Sequence, residues 1–499
     1  MTNLATMLVT ASEQHPDHDA LRLNGQGMPY AALHRAAAAV AGSLRGNGIE
    51  PGDRVALILP NVPAYPVVFW GAALAGATVV PMNPLLKAGE IDFFFSDSGA
   101  KIAFVWPNFL AEATAGAERT GTRIIQCTPM GPAEGQLAAG DPILEPTPRA
   151  DEDTLVILYT SGTTGRPKGA ELTHRNIRLN AERCSSVILE ISPDDVLMGC
   201  LPLFHVFGLT VGMVAATNAG ATLALVPRFD PAVAITVIEE EHVTVMIGVP
   251  TMYAAILHAP EGDTMDASTL RTCVSGGSAM PAEVQTAFEQ KFGCIVLEGY
   301  GLSETSPVAS FNMPGRPRKP GTIGLPIPGC EMRCVDAQGV EVPDGEVGEI
   351  AIRGDNVMKG YWNKPEATAE AIPDGWFRTG DLAVKDADGY FTIVDRKKDM
   401  ILRGGMNVYP REVEELLYTH PAVREAAVVP VPDSLLGEDV GAAVALKPGA
   451  SVTPDELRAW AKERIAAYKY PRHIWIVEEL PKGPTGKILR REVSAPEGV

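Results

Sequence analysis

Apolar positions along the chain follow two textures. Up to about residue 320, short continuous apolar runs alternate with helical patterns. Residues 54–59 (RVALIL), 77–80 and 102–105 have the length and β-branched content of buried strands. Between them, residues 67–75 predict a buried helix, with Pro66 and Pro81 bounding the apolar run. Such alternation predicts parallel sheets covered on both faces. Past residue 320, segments 331–335, 348–353 and 390–395 become short alternating strands, and Asp388-Gly389 is a hairpin turn. They predict a small antiparallel unit.

The last hundred residues change texture again. Pro410 opens a helix with Val413, Leu416 and Leu417 on one face. Segments 425–431 and 442–446 read as strands. Thr453, Pro454 and Glu456 form an N-cap, N1 and N3 set before a second helix, whose apolar face is Leu457, Trp460, Ala461 and Ile465. The charged segment 395–399 has no Gly/Ser character, so it predicts a hinge and not a flexible tether. The expected fold class is α/β. A large domain of parallel-rich sheets flanked by helices, with a small antiparallel unit, fills residues 1–394. Residues 395–398 are the hinge, and 399–499 a small, mobile α+β domain.

Charge and cysteine content remove several function classes. Lys plus Arg is 42 against 61 Asp plus Glu, a net charge of −19, which argues against a general nucleic-acid binder. Seven cysteines (127, 184, 200, 273, 294, 330, 334) make an odd set with no CxxC pair, which disfavours a disulfide scaffold or structural zinc. The apolar run 67–80 is too short to cross a bilayer, and the first residues lack a basic leader. The expectation is a reduced cytoplasmic protein without integral membrane contact. Nothing in the sequence speaks to its oligomeric state.

Strand 155–159 (LVILY) runs directly into Thr160-Ser161-Gly162-Thr163-Thr164-Gly165-Arg166-Pro167-Lys168-Gly169. Three glycines let the backbone present N–H groups, four hydroxyls add donors and Lys168 adds charge, as a phosphate chain requires. The spacing differs from a Walker A loop, since Gly169 stands where Ser or Thr would follow the lysine. This segment resembles the phosphate-loop signature of the adenylate-forming superfamily of acyl- and aryl-CoA synthetases, peptide-synthetase adenylation domains and beetle luciferases. Further segments resemble that family in its order: Glu298 to Thr305 (EGYGLSET), Tyr361-Trp362-Asn363, Trp376 to Asp381 (WFRTGD), Asp395 to Asp399 (DRKKD), Arg403 to Pro410 (RGGMNVYP) and Pro481 to Lys487 (PKGPTGK). Within the family the chain is most similar to fatty-acid and 4-coumarate CoA ligases.

The resemblance implies two half-reactions. A carboxylate attacks the α-phosphate of ATP, giving an acyl-adenylate and pyrophosphate, and CoA then displaces AMP. It implies that Lys168 and the loop Thr160, Ser161, Gly162, Thr163, Thr164 and Gly165 hold phosphates, with Glu304 on Mg²⁺ and Ser303 at the α-phosphate. Tyr300 would face adenine, Asp381 the ribose diol and Arg396 ribose or phosphate; Gly276 and Asn407 complete the nucleotide set. Lys487 would be the catalytic lysine and His205 would sit by the substrate carboxylate. Lys398 would be the hinge position. Arg403, Gly404 and Gly405 would meet CoA. ATP, Mg²⁺ and CoA are the expected substrates and ion, with no tightly bound prosthetic group.

The acid pocket is expected along Phe207, Gly277 and Val308. Residues 201–210 hold no Asp to pair with an amino group, and Gly299 stands where malonate-activating relatives often carry Arg. An uncharged pocket predicts an apolar monocarboxylate, first a medium- or long-chain fatty acid and second a cinnamate-like aryl acid. CoA is the default acceptor, with a free carrier protein or an amine as alternatives. From a different class, a catalytically silent adenylate-binding protein would lack the set Lys168, Glu304, Asp381 and Lys487, which is intact here. Charge is uneven as well: residues 461–491 hold eight Lys or Arg against three Glu, a basic segment around Lys487 that could draw in nucleotides.

Overall fold

The computed structural model describes residues 3–160, 167–433, 435–484 and 486–496. Two sheets and their helices make the large domain. One runs, from edge to edge, Leu325–Pro326, Val308–Phe311, Ile295–Gly301, Thr272–Ser275, Val245–Gly248, Val196–Gly199, Thr222–Leu225, Asp19–Leu23 and Gln26–Pro29. Its interior is parallel and its edges antiparallel. The other is centred on Thr154–Thr160, Thr78–Pro81 and Arg54–Ile58, with Lys168–Thr173 antiparallel to Thr154–Thr160. Strands buried on both faces need apolar residues at every position, which is why they read as continuous runs.

The apolar run 67–80 forms a helix and a strand, as its composition demands. The helix, Ala64–Leu74, has every residue buried, and the strand is Thr78–Pro81. The helix starts before the predicted 67–75, so Pro66, which bounds the apolar run, lies in its first turn, where a missing N–H breaks no helical bond.

An antiparallel sheet of Cys330–Val335, Val347–Gly354, Phe377–Lys385 and Phe391–Arg396 follows, with the expected turn at Asp388-Gly389. The C-terminal small domain packs the helices Pro410–Tyr418 and Pro454–Lys462 on a sheet built around Val423–Asp433 and Gly437–Leu446. Thr453 and Glu456 form the predicted capping box. Two apolar faces are narrower than predicted. Leu416 and Trp460 are half-buried, and Ile465 lies beyond the helix end at Lys462, so Val413, Leu417, Leu457 and Ala461 carry the packing. Among the described residues no helix is long and apolar enough to cross a membrane.

Candidate active site

The strand Thr154–Thr160 delivers Thr160 to the mouth of its sheet, in register with Lys168 on the returning strand. Ser161, Gly162, Thr163, Thr164 and Gly165, the expected phosphate loop, lie outside the described residues. The Lys168 ammonium stands 5.2 Å from the centre of the Tyr361 ring. The Tyr361 hydroxyl donates to Glu304 Oε1 at 3.0 Å, and the Thr160 hydroxyl reaches the same oxygen at 3.4 Å. Burial pushes the Glu304 carboxyl pKa up, while the hydroxyl donors and the Arg396 charge pull it down. A buried, hard carboxylate that accepts from two neutral hydroxyls suits a divalent cation shared with phosphate oxygens, so Glu304 fits Mg²⁺.

Glu304 is held by a tight hairpin end. A Cβ on Gly301 would fall 1.9 Å from the Pro307 carbonyl oxygen, so only glycine permits the close return of the chain. The Thr305 hydroxyl ties Leu302 to Pro307 across this turn, which also carries Ser303.

Tyr300, one residue before Gly301, donates its hydroxyl to Asp381 Oδ2 at 2.6 Å. Arg396 Nε donates to Asp381 Oδ1 at 3.2 Å, and the two residues are register partners on adjacent strands. Tyr300, Asp381 and Arg396 therefore form one cluster. Burial and the Asp381 charge both hold the Tyr300 phenol protonated, so it remains a donor.

Lys487 closes the site from the small domain. The Thr251 hydroxyl donates to the Gly486 carbonyl at 2.9 Å and docks the lysine loop on the large domain. Burial first, and the nearby Arg396 charge second, lower the Lys487 pKa to about 8, against the pull of Asp381. Burial, and then Lys487 itself, lower His205 to about 4, so His205 is neutral near pH 7. Its Nδ1 accepts from the Phe207 N–H at 3.3 Å, which fixes the tautomer that leaves Nε2 as the donor.

Beside His205, Phe207 is buried over Gly276: a Cβ there would meet the ring at 3.0–3.1 Å. Gly277 adopts φ +78° against Val249. Val308 is buried, and its backbone is clamped by Asn180 and Asn356. Glu298, behind this wall, accepts from the Met280 N–H at 3.0 Å; burial pushes its carboxyl up to about 7.

The expected CoA and hinge residues behave differently. Arg403 is 4% exposed and its Nε donates to Asp439 at 2.5 Å, with Nη1 on the Tyr468 carbonyl. Its guanidinium is held inside the small domain by these contacts. Gly404 and Gly405 take φ of +58° and +82° at an exposed hairpin tip. Asn407 is exposed on that hairpin, opposite Leu402, and joins none of the contacts above. Lys398 is exposed in the turn after Arg396. Sequence reasoning gave no role to Thr251 and none to the Tyr361 hydroxyl, although Tyr361 sits in a quoted motif.

Comparison with known proteins gives the family. Residues 8–362 match the family model for AMP-binding enzymes, and residues 412–487 match the model of their C-terminal domain. The chain is 40% identical over 493 residues to a feruloyl-CoA synthase from Amycolatopsis sp, covering 98% of each. It is 37% identical over 527 residues to a long-chain-fatty-acid–CoA ligase from Bacillus subtilis (strain 168), covering 98% of this chain and 94% of that one. A benzoate CoA ligase from Burkholderia xenovorans LB400 superposes with a TM-score of 0.91 at 32% identity, covering 99% of each chain. The chain belongs to the adenylate-forming AMP-binding enzyme family. It is an ATP-dependent acid–CoA ligase of that family, for which ATP and CoA are substrates.

Proposed function

We propose that the protein activates an apolar monocarboxylic acid, first a medium- or long-chain fatty acid, and transfers it to CoA. The observation that carries this reading is the meeting of His205 and Lys487 beside the uncharged wall of Phe207, Gly276 and Gly277. Neutral His205 offers Nε2–H to a substrate carboxylate without adding charge. Lys487, cationic at neutral pH, neutralises charge building between that carboxylate and the α-phosphate. Tyr300, Asp381 and Arg396 orient the nucleoside end. Lys168 and Thr160 face the phosphate end, and Mg²⁺ on Glu304 would neutralise phosphate charge there. With the reacting groups held by preformed contacts, catalysis is mainly positioning and charge neutralisation.

An aryl acid is the second reading. The close approach of the Phe207 ring to Gly276 makes a flat surface, and the 40% identical relative is a feruloyl-CoA synthase. The division of the chain at residues 395–398 and turning of the small domain after adenylation complete the proposal. The deciding experiment is pyrophosphate release with a panel of fatty acids (C4–C18, a range spanning many steps of about 1–3 kcal/mol per methylene at most) and hydroxycinnamates, with and without CoA. The fatty-acid reading expects acid-dependent release that rises with chain length and a CoA thioester product. Higher kcat/KM with hydroxycinnamates would move the assignment to the aryl reading. Preference for a dicarboxylate would overturn the apolar pocket.

A further inference from the structure

Arg490 lies three residues beyond Lys487, and its guanidinium joins carboxylates from separate parts of the chain. Nε donates to Glu414 Oε1 at 2.8 Å, and Nη2 donates to the other oxygen of that carboxylate. Nη1 donates to Asp395 Oδ1 at 3.2 Å and stands 3.7 Å from Asp399. Glu414 also accepts the Val428 N–H at 2.8 Å, which ties it to the small-domain sheet.

Asp395 is 3% exposed and sits near the end of the strand Phe391–Arg396, just before the turn at Lys398. Its second oxygen accepts the Arg411 N–H at 2.9 Å. Arg411 is in the first turn of the helix Pro410–Tyr418, whose own N-cap, Tyr409, makes no side-chain capping bond. The helix N-terminus is therefore capped by the carboxylate of the first hinge residue, which is still paired with Leu382 in the antiparallel sheet. The Arg411 side chain crosses the proposed hinge, donating from Nη1 to the Ile393 carbonyl at 2.9 Å.

These contacts divide cleanly. Glu414 and Asp399 would travel with the small domain, whereas Asp395 belongs to a strand of the antiparallel sheet. The tail is one compact turn, with Gly483 N–H on the Lys487 carbonyl and Leu489 N–H on that of Pro481, so Lys487 and Arg490 move together. We propose that Asp395 and Arg490 form a latch that holds the small domain in the orientation that presents Lys487 to the acid, and that this latch opens when the domain turns. Arg490 is thus a positioning residue acting through Lys487. The inference rests on the hinge reading above.

A buried carboxylate stripped of its donors keeps an uncompensated charge, unlike an exposed ion pair. The latch therefore weights the two orientations by its differential contacts. In Arg490→Gln and Asp395→Asn, adenylation from acid and ATP should fall about tenfold with the KM for ATP unchanged. Thioester formation from supplied acyl-adenylate and CoA should be unchanged or faster. The double variant should lose less than the two single losses combined, because both remove the Asp395–Arg490 contact, while Arg490→Gln also frees Glu414, and Arg490→Lys should restore part of the rate. Equal loss in both half-reactions, or no loss in either, would overturn the latch.

A second readout is independent of activity. All seven cysteines are buried, so spin labels can be directed to cysteines introduced at the exposed Thr286 and Lys462. The latch expects one narrow inter-label distance in the parent and a broadened distribution in Arg490→Gln. An unchanged distribution would overturn it even if the parent forms acyl-adenylate, and broadening would support it even if no acid is turned over.

Discussion

At the scale of single residues, burial moves Lys487, His205, Tyr300 and Glu304 from their usual ranges. Lys487 is the most consequential, because the proposed function uses its charge in catalysis and burial lowers its pKa to about 8. Raising pH through about 8 discharges the ammonium, so adenylation kcat should decline on that limb. Lys487→Ala should lower adenylation on the order of 10²–10³-fold and abolish the limb, by analogy with losing one preorganised donor. Initial rates of pyrophosphate release across pH 6–10, a span bracketing the shifted and ordinary lysine values, are the measurement. A limb surviving in Lys487→Ala would assign it to another group. Much of this set was legible in the sequence, because Thr160, Lys168, Glu304, Asp381 and Lys487 lie in short motifs whose residue types already state their chemistry. Two contributors were not legible. Thr251 meets Gly486 across 235 positions of sequence, and the Tyr361 hydroxyl meets Glu304 across 57. Neither partner carries a local signal, since a hydroxyl in a helix or strand has many ordinary uses. Arg403 shows another feature the chain order hides: an arginine beside two glycines is paired with Asp439, 36 positions away.

At the scale of elements, caps and turns were predicted well because their physics is local. Thr453 accepts from the Glu456 N–H, and the Glu456 carboxylate takes the Thr453 N–H in return. Thr453→Ala should therefore destabilise the small domain by about 1 kcal/mol, the usual value of an N-cap side chain. Denaturant titration against the parent is the check; an unchanged midpoint would show that the helix is held by Leu457 and Ala461 alone. The helix Pro410–Tyr418 differs, because the acceptor for its Arg411 N–H comes from Asp395, outside the local segment. Its start was readable from Pro410, and its cap was not. Strand ends shifted by a residue, as at Thr78–Pro81, because sheet register and not composition decides where pairing stops.

At the scale of the whole molecule, two sheets, an antiparallel unit and a small domain converge on one site. Thr160 and Lys168 come from one sheet, Tyr300 and Glu304 from the end of the other, Asp381 and Arg396 from the antiparallel unit, and Lys487 from the tail. A site assembled from so many bodies can be remade by turning one of them. Lys398→Pro, which restricts φ in the exposed turn, should leave acyl-adenylate formation nearly intact and impair thioester formation. Assaying the half-reactions separately would test this, and equal loss of both would remove the two-orientation reading.

The sequence by itself determined the class of fold, the order of its motifs and the family, because periodicity, glycine placement and residue chemistry are carried by neighbours in the chain. It also set an acidic total charge around a basic tail. Tertiary structure alone decided which charges are spent and which are free. Arg403 is buried against Asp439, Asp381 is shared between Tyr300 and Arg396, and Asp395 serves both Arg411 and Arg490. The physical reason is that the energy of an ionisable group depends on burial and on partners brought close by folding, and neither is a property of its neighbours in sequence.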